Sequence, residues 1–371
     1  MKVAIIHDWL TQMGGAERVI LALRGIFPEA PVFTMVHDPD KLSPEFANID
    51  IRTSFIQKLP FAKTKYQSYL PLMPTAAEQF DLTGYDVVIS CSHACAKGVI
   101  TRPETLHISY CYTPTRWAWF MYHEYMRLEQ TGLLKRMLVP PLMNYLRMWD
   151  RLAADRVDDF VAISSGVSHR IKKYYRRDSH IIFPPVDTGY FTPADTIDDY
   201  FLVVSRLVSY KRVDLAVKAF NKLGLPLVVI GEGPEMAKIR RIAKSNVRIM
   251  GRLSDEEIRQ YYARCKAFIF PGEEDFGITP VEAQAAGRPV IAYGVGGALD
   301  TVKKGVTGEF FYSQTADALA AAVKTFDAGK YDPQVIRKHA EEFDTRKFQA
   351  IFHEYVLKKF DEHRSLYLRR E

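Results

Sequence analysis

The sequence predicts an α/β protein built of two parallel-sheet units, and three observations carry that prediction. The 371 residues are about twice the length of a typical single domain. Short apolar runs alternate with helical patterns from one end to the other, as parallel strands joined by helical crossovers require. Between the halves, Ile181-Ile182-Phe183-Pro184-Pro185-Val186-Asp187-Thr188-Gly189 places a proline pair and a glycine where regular structure must stop. The hinge is therefore set near Pro185, with domains over residues 1–185 and 186–345.

In the first half, buried strands are expected at Val3 to Ile6, Val87 to Ser90, His107 to Tyr110 and Phe160 to Ile163. The second half repeats the scheme at Phe201 to Val204, Leu227 to Ile230, Val247 to Met250, Ala267 to Phe270 and Val290 to Ala292. Two Rossmann-like units follow. The opening run ends in His7-Asp8 and lacks a cleavage site, so it reads as a first strand and not a signal peptide, and secretion is not expected. Four cysteines, Cys91, Cys95, Cys111 and Cys265, without Cys-x-x-Cys spacing suit reduced thiols in a cytoplasmic setting.

Two segments are amphipathic. From Thr345 to Arg364 the apolar residues Phe348, Ile351, Phe352, Tyr355, Val356 and Phe360 recur at three-to-four spacing, so this tail is a helix in need of a partner surface. Leu133 to Arg156 mixes Leu134, Met137, Leu138, Leu142, Leu146 and Trp149 with Lys135, Arg136, Arg147 and Arg151. Pro140-Pro141 predicts a break there between two helices. The segment reads either as a half-buried helix pair with a solvated basic edge or as a basic face lying on anionic lipid. Phe55 to Tyr66 adds Lys58, Lys63 and Lys65 among apolar side chains in the same half.

An apolar fraction of 47% and a charged fraction of 25% describe a globular core and argue against a disordered or fibrous chain. No apolar stretch approaches the ~20 residues that span a bilayer, so membrane contact is expected to be peripheral. The net charge of +6 favours an anionic partner without choosing among nucleic acid, phosphorylated ligand and lipid. The motifs make that choice.

The most specific of them is Pro271-Gly272-Glu273-Glu274-Asp275-Phe276-Gly277-Ile278-Thr279-Pro280-Val281-Glu282-Ala283, directly after an expected strand. Thr279 reads as a helix cap, Pro280 as the first helical residue and Glu282 as the capping-box acid. Free amides at such a helix start suit an anionic oxygen or sugar hydroxyls, and the carboxylates of Glu274 and Glu282 can accept hydrogen bonds from hydroxyls. Glu282 alone reads equally as a cap, and Glu274 alone as a solvated loop acid. A second cluster, Ser205-Arg206-Leu207-Val208-Ser209-Tyr210-Lys211-Arg212, ends another strand and offers two cations, Arg206 and Lys211, to a phosphate group. In the first half, Met13-Gly14-Gly15-Ala16-Glu17 opens a helix after the first strand, where glycines permit close backbone approach to a ligand or form a plain tight turn. His93 follows a strand end and reads as a core or capping histidine, or as a ligand residue.

Glu274 and Glu282 with seven residues between them, followed by Ala283-Gln284-Ala285-Ala286-Gly287-Arg288-Pro289, resemble the Glu-x7-Glu signature of glycosyltransferase family 4. The resemblance implies the GT-B fold: two Rossmann-like domains whose parallel sheets face a central cleft, with the C-terminal helix 346–371 crossing back to the N-terminal domain. It implies that Glu274 meets the donor sugar and Glu282 the nucleotide ribose, and that the backbone at Phe276, Gly277, Ile278 and Thr279 binds sugar and phosphate. It further implies that Arg206 and Lys211 counter the leaving diphosphate, that Gly14 and Gly15 face the donor, and that Gly251-Arg252-Leu253 touches the nucleobase. Gly231-Glu232-Gly233-Pro234 resembles the family's Gly-x-Gly turn.

Tyr110-Cys111-Tyr112-Thr113-Pro114 is similar to a segment of bacterial polysaccharide mannosyltransferases that has a histidine where Tyr112 stands, so either His93 or Tyr112 takes the cleft histidine's role. The expected activity is retaining transfer of a hexose, first mannose from GDP-mannose, to a lipid-linked or polysaccharide acceptor at an anionic membrane surface. A UDP-hexose donor, a GT-B sugar-nucleotide isomerase and a non-catalytic sugar-nucleotide-binding module are the alternatives. No Gly-x-Gly-x-x-Gly follows the first strand, which argues against a nicotinamide oxidoreductase. Asp38-Pro39-Asp40 lacks the context of a metal motif, so no metal, cofactor or nucleic-acid partner is expected.

Overall fold

The computed structural model describes residues 1–128 and 133–368. It divides into two compact units, Met1–Phe183 with Phe348–Glu371, and Pro184–Lys347. Unit 1 is built on β1 (Val3–His7), β2 (Val32–Thr34), β3 (Ile51–Thr53), β4 (Val87–Ser92), β5 (Leu106–Cys111), β6 (Asp159–Ala162) and β7 (His180–Ile181). These pair in the order β3-β2-β1-β4-β5-β6-β7, every pair parallel. Unit 2 carries β8 (Phe201–Val204), β9 (Leu227–Ile230), β10 (Val247–Gly251), β11 (Ala267–Phe270), β12 (Val290–Tyr293) and β13 (Gly308–Phe311). Their order is β10-β9-β8-β11-β12-β13, again wholly parallel.

Burial on both faces explains why the central strands read as continuous apolar runs. All residues of β1, β4 and β5 are buried, as are those of β9 and β11. In each sheet the chain first works outward on one side, to β3 or β10, and then returns to the other side of the starting strand. The strand order therefore reverses between β1 and β4 and between β8 and β11. At such switch points the crossovers diverge to opposite faces and leave a crevice at the carboxyl ends of the strands, where open α/β sheets bind ligands. Both expected residue clusters lie there.

The tail is a helix, Thr345–Leu368, and its partner is unit 1. Phe348 and Phe352 set their rings edge-on to Tyr110 at 5.8 and 5.7 Å, Gln349 Nε2 donates to the Ala22 carbonyl at 3.0 Å, and Tyr355 stacks on His180. The break expected at Pro140-Pro141 is not formed: one helix runs from Leu133 to Asp155 through both prolines. A proline deletes its own N–H but leaves carbonyls on either side to accept. The C-terminal turns are anchored by buried Leu146, Asp150, Ala153 and Ala154, which holds the segment in one piece. The side chains of Lys135 and Arg136 lie outside the described residues.

Candidate active site

In unit 2 the crevice between β8 and β11 is made by two loops pressed against each other. The loop after β11 needs glycine at its second position, because a Cβ on Gly272 would stand 2.9 Å from both Cα and O of Lys211. This contact brings the two charged segments together. Lys211 Nζ pairs with Glu274 Oε1, and both side chains are largely buried, with 18% and 19% exposed. Glu273 beside them faces solvent.

Arg206 lies on the same rim with an exposed side chain. Its loop is seated on the Gly231-Glu232-Gly233 turn: Leu207 N–H donates to Glu232 O at 2.8 Å. A Cβ on Gly231 would fall 1.9 Å from Ser205 O, and one on Gly233 2.3 Å from Leu207 O. Both glycines have positive φ, 133° and 157°, which L-residues avoid. Arg212, the neighbouring cation, is turned to structural work, with Nε 3.2 Å from Asp214 Oδ1 and Nη1 3.1 Å from Gln314 Oε1.

The helix after the Glu274 loop is Ile278–Ala285, and its N-cap is Gly277 at φ 92°, without a side-chain cap. Thr279 is therefore not the cap expected from the sequence, nor does Glu282 close a capping box. Gly277 makes the turn because the Phe270 ring would stand 3.0 Å from any Cβ there, so the chain enters the helix two residues early. Glu282 is buried and its Oε2 accepts from the Tyr262 hydroxyl at 2.9 Å. The amides of Ile278 and Thr279 belong to a first turn that has no helical carbonyl to receive them. The Phe276 side chain packs edge-on against Phe343 at 5.6 Å, leaving only its backbone for a ligand. Gly251 ends β10 at φ 75° and accepts from Gly231 N–H at 2.8 Å; Arg252 is exposed and Leu253 half-buried.

Sequence reasoning missed the clamp on Glu274. Gly297 N–H donates to Glu274 O at 2.8 Å, and a Cβ on Gly296 would stand 2.5 Å from that same oxygen. The Gly296-Gly297 pair after β12 was the available signal.

The crevice of unit 1, between β1 and β4, is organised by a residue the sequence did not single out. Asp8 is fully buried, and its carboxylate accepts four backbone N–H groups: His93 at 2.7 Å and Ala94 at 3.0 Å on Oδ2, Cys95 and Ala96 at 2.7 Å each on Oδ1. Such a nest of amides satisfies the buried carboxylate and fixes the loop around it. His93 stands on that loop with 30% of its side chain exposed and Nδ1 3.1 Å from Asp8 Oδ2. Its ring lies edge-on to Trp9 at 4.6 Å. Burial holds the His93 imidazole below its ordinary value against the opposing pull of Asp8, so it is neutral near pH 7. An acid directly after a buried strand was the signal for Asp8.

Tyr112 is turned inward, with its hydroxyl donating to Ala16 O at 3.0 Å and its ring edge-on to buried His7. Of the two candidates for the cleft histidine's position, His93 is the one with an exposed ring edge. Gly14 caps the helix Gly15–Ile26, and a Cβ there would meet Glu17 Oε2 at 3.2 Å. Glu17 is itself buried in the first turn, 3.6 Å from His7 Nε2.

Residues 192–343 match the family model of the Glycosyl transferases group 1. Curated relatives include O-antigen chain mannosyltransferase C of Escherichia coli, 35% identical over 27% of this chain and 29% of that one. Another is the GDP-mannose-dependent alpha-(1-6)-phosphatidylinositol monomannoside mannosyltransferase of Mycobacterium tuberculosis, 32% identical over 47% of this chain and 53% of the relative. The chain thus spans less than a third of the first and about half of the second. Among solved structures, HepE of Anabaena in complex with UDP superposes with a TM-score of 0.70 at 16% identity, over 96% of this chain and 100% of that one. That likeness shows the fold, the two-unit α/β architecture of the GT-B type.

Proposed function

We propose that the protein is a retaining glycosyltransferase that moves a hexose, first mannose from GDP-mannose, to a hydroxyl of a lipid-linked or polysaccharide acceptor. The observation that carries this reading is the meeting of Lys211 and Glu274 at the β8/β11 switch point, with Arg206 on the same rim. Two cations and the open amides of Ile278 and Thr279 suit a diphosphate, while a carboxylate clamped between them suits sugar hydroxyls. The mannosyltransferase relatives favour mannose, and the match over residues 192–343 favours a nucleotide-sugar donor.

In the transfer, the bond from the sugar's anomeric carbon to the diphosphate oxygen breaks and its electron pair stays with the diphosphate. The acceptor oxygen bonds to that carbon and its proton passes to the departing diphosphate. Charge grows on the leaving diphosphate, so Arg206 and Lys211 stabilise the transition state more than the ground state. They take the part that a metal ion plays elsewhere, and activity is accordingly expected to survive excess EDTA. Glu274 orients the sugar, Glu282 takes the ribose, and Gly251-Arg252-Leu253 borders the base. Within unit 1, Gly14 and Gly15 are assigned to donor binding and His93 to catalysis. A lipid-linked acceptor places the protein at the inner face of the cell membrane.

The test is a thermal-shift series with GDP, UDP, GDP-mannose and UDP-glucose. A ligand at about 100 times its Kd raises stability by about 2.7 kcal/mol, so GDP and GDP-mannose are expected to shift the midpoint most. A larger shift with UDP compounds replaces the donor, and no shift with any of them removes the reading. Release of nucleoside diphosphate only when an acceptor is present separates a transferase from an isomerase.

A further inference from the structure

The helix Leu133–Asp155 carries a buried face and an apolar exposed one. Inward, the Asp150 carboxylate accepts from Thr115 Oγ1 at 2.9 Å, Trp119 Nε1 at 2.7 Å and the Tyr175 hydroxyl at 2.9 Å, and it pairs with buried Lys97. Outward, Met137, Leu138, Tyr145, Met148 and Leu152 are 67%, 60%, 46%, 54% and 64% exposed. With 3.6 residues per turn these five fall within one arc of about 100°, a stripe about 22 Å long. Monomeric proteins rarely leave such a contiguous apolar face in water.

Charge says what covers it. No acid occurs from Leu133 to Trp149, and Arg147 and Arg151 border the stripe. Arg147 lies over the Tyr122 ring and Arg151 is paired with Asp155. The segment Phe55 to Leu72 likewise holds no acid and exposes Lys58, Lys63 and Lys65, of which Lys63 approaches Asp38 at 3.7 Å. Between these lysines Phe61 is 70% exposed at φ 56°, a left-handed backbone that residues with a β-carbon avoid. Both elements are rooted in one apolar cluster around Ile56, Ala62 and Met73, against which Trp149, Leu59, Tyr66 and Leu70 all pack.

We propose that the stripe Met137–Leu138–Tyr145–Met148–Leu152 and the Phe61 loop together seat unit 1 on an anionic lipid bilayer. This rests on the lipid-acceptor reading above and gives it a surface. Methionine, leucine and phenylalanine enter the acyl boundary while the cations meet anionic headgroups. A second copy of the chain would instead set the same cations against each other. The seat is tied to the β1/β4 crevice. Met148 and Leu152 flank Asp150, Asp150 holds Lys97, and Lys97 continues the segment whose amides hold Asp8. Only the thickness of one helix, about 10 Å, separates the lipid-facing stripe from the bonded face.

The experiment is sedimentation of the full chain with phosphatidylcholine vesicles, with and without phosphatidylglycerol, at low and high salt. Binding is expected only with the anionic lipid and is weakened by salt. The double variant Met148→Glu/Leu152→Glu and the single variant Phe61→Ser are each expected to lose about tenfold or more in affinity. Val335→Glu, at a residue 46% exposed in unit 2, leaves it unchanged. Absent vesicle binding, or a double variant that binds as well as Val335→Glu, overturns the proposal. So does concentration-dependent dimerisation by light scattering that the double variant abolishes. The GDP thermal shift is measured on the same samples: vesicle binding without a GDP shift sinks the transfer reading alone, and a GDP shift without vesicle binding sinks this one alone.

Discussion

The two switch points share a backbone plan and handle charge in opposite ways. Between β8 and β11 the charged groups are held at the rim: Lys211 and Glu274 keep about a fifth of their side chains in solvent, and Arg206 is exposed. Between β1 and β4 they are sunk: Asp8 and His7 are fully buried, Glu17 nearly so, and His93 alone shows an edge. Rim charges are available to a ligand. The buried Asp8 carboxylate has spent its hydrogen-bonding capacity on the loop amides and serves to shape that loop. One topology thus leaves charge exposed at the crevice of unit 2 and mostly buried at that of unit 1.

The sharpest way to break this comparison is at Glu274. Its exchange for glutamine is expected to cut turnover by about two to three orders of magnitude, the loss seen when one transition-state contact is removed. Affinity for nucleoside diphosphate, which has no sugar, should stay within about twofold, whereas Lys211→Ala lowers both. If Glu274→Gln loses diphosphate affinity as badly as Lys211→Ala, the rim carboxylate is not on the sugar.

Unit 1 answers to a stability test instead. Asp8→Ala leaves the four amides from His93 to Ala96 without their acceptor and is expected to cost about 3 kcal/mol or more in urea unfolding. Diphosphate affinity should be untouched at temperatures where the variant is folded. A loss below about 1 kcal/mol means the nest is not a structural keystone.

Acid sharpens the contrast further. Burial holds His107 at about 3, its Nε2 2.8 Å from Ser90 Oγ, and depresses His37 and His93 in the same unit; in unit 2, among the described residues, only His339 is depressed. The unfolded imidazole titrates near 6.5, so below that pH the unfolded state binds more protons. The stability from a neutral buried His107 is complete above pH 6.5 and is lost as pH falls toward 3, by about 1.4 kcal/mol per pH unit. Lowering pH from 7 to 5 should therefore cost about 2 kcal/mol through His107 alone, and His107→Gln should flatten that slope in unfolding measurements.

The smallest effect is expected at Gly272. A methyl group there presses on the Lys211 backbone, so Gly272→Ala should weaken diphosphate binding by about tenfold, 1.4 kcal/mol, together with a lower thermal midpoint. Gly224→Ala, at φ 71° with open space around it, is the control that alters backbone strain without touching Lys211. Equal affinity in the two variants would mean that the loop contact does not position the lysine.

Local pattern alone determined a good deal here. Nine strands were legible, most of them because residues buried on both faces form unbroken apolar runs. The tail helix and both loops of unit 2 were legible because their residue types carry their own chemistry. Tertiary structure decided the rest. Strands β2, β3 and β7 are three, three and two residues long and β13 is four residues, half of them only partly buried, too short for any period to show, and they exist because a neighbouring strand offers a ladder to join. The helix through Pro140-Pro141 survives on its buried face, against local propensity. Gly277 displaced Thr279 as a cap because the Phe270 ring occupies the space beside it. Asp8 and Asp150 look like ordinary acids in the sequence. Their partners lie 85 to 88 and 25 to 53 residues away, and only folding brings those donors within reach.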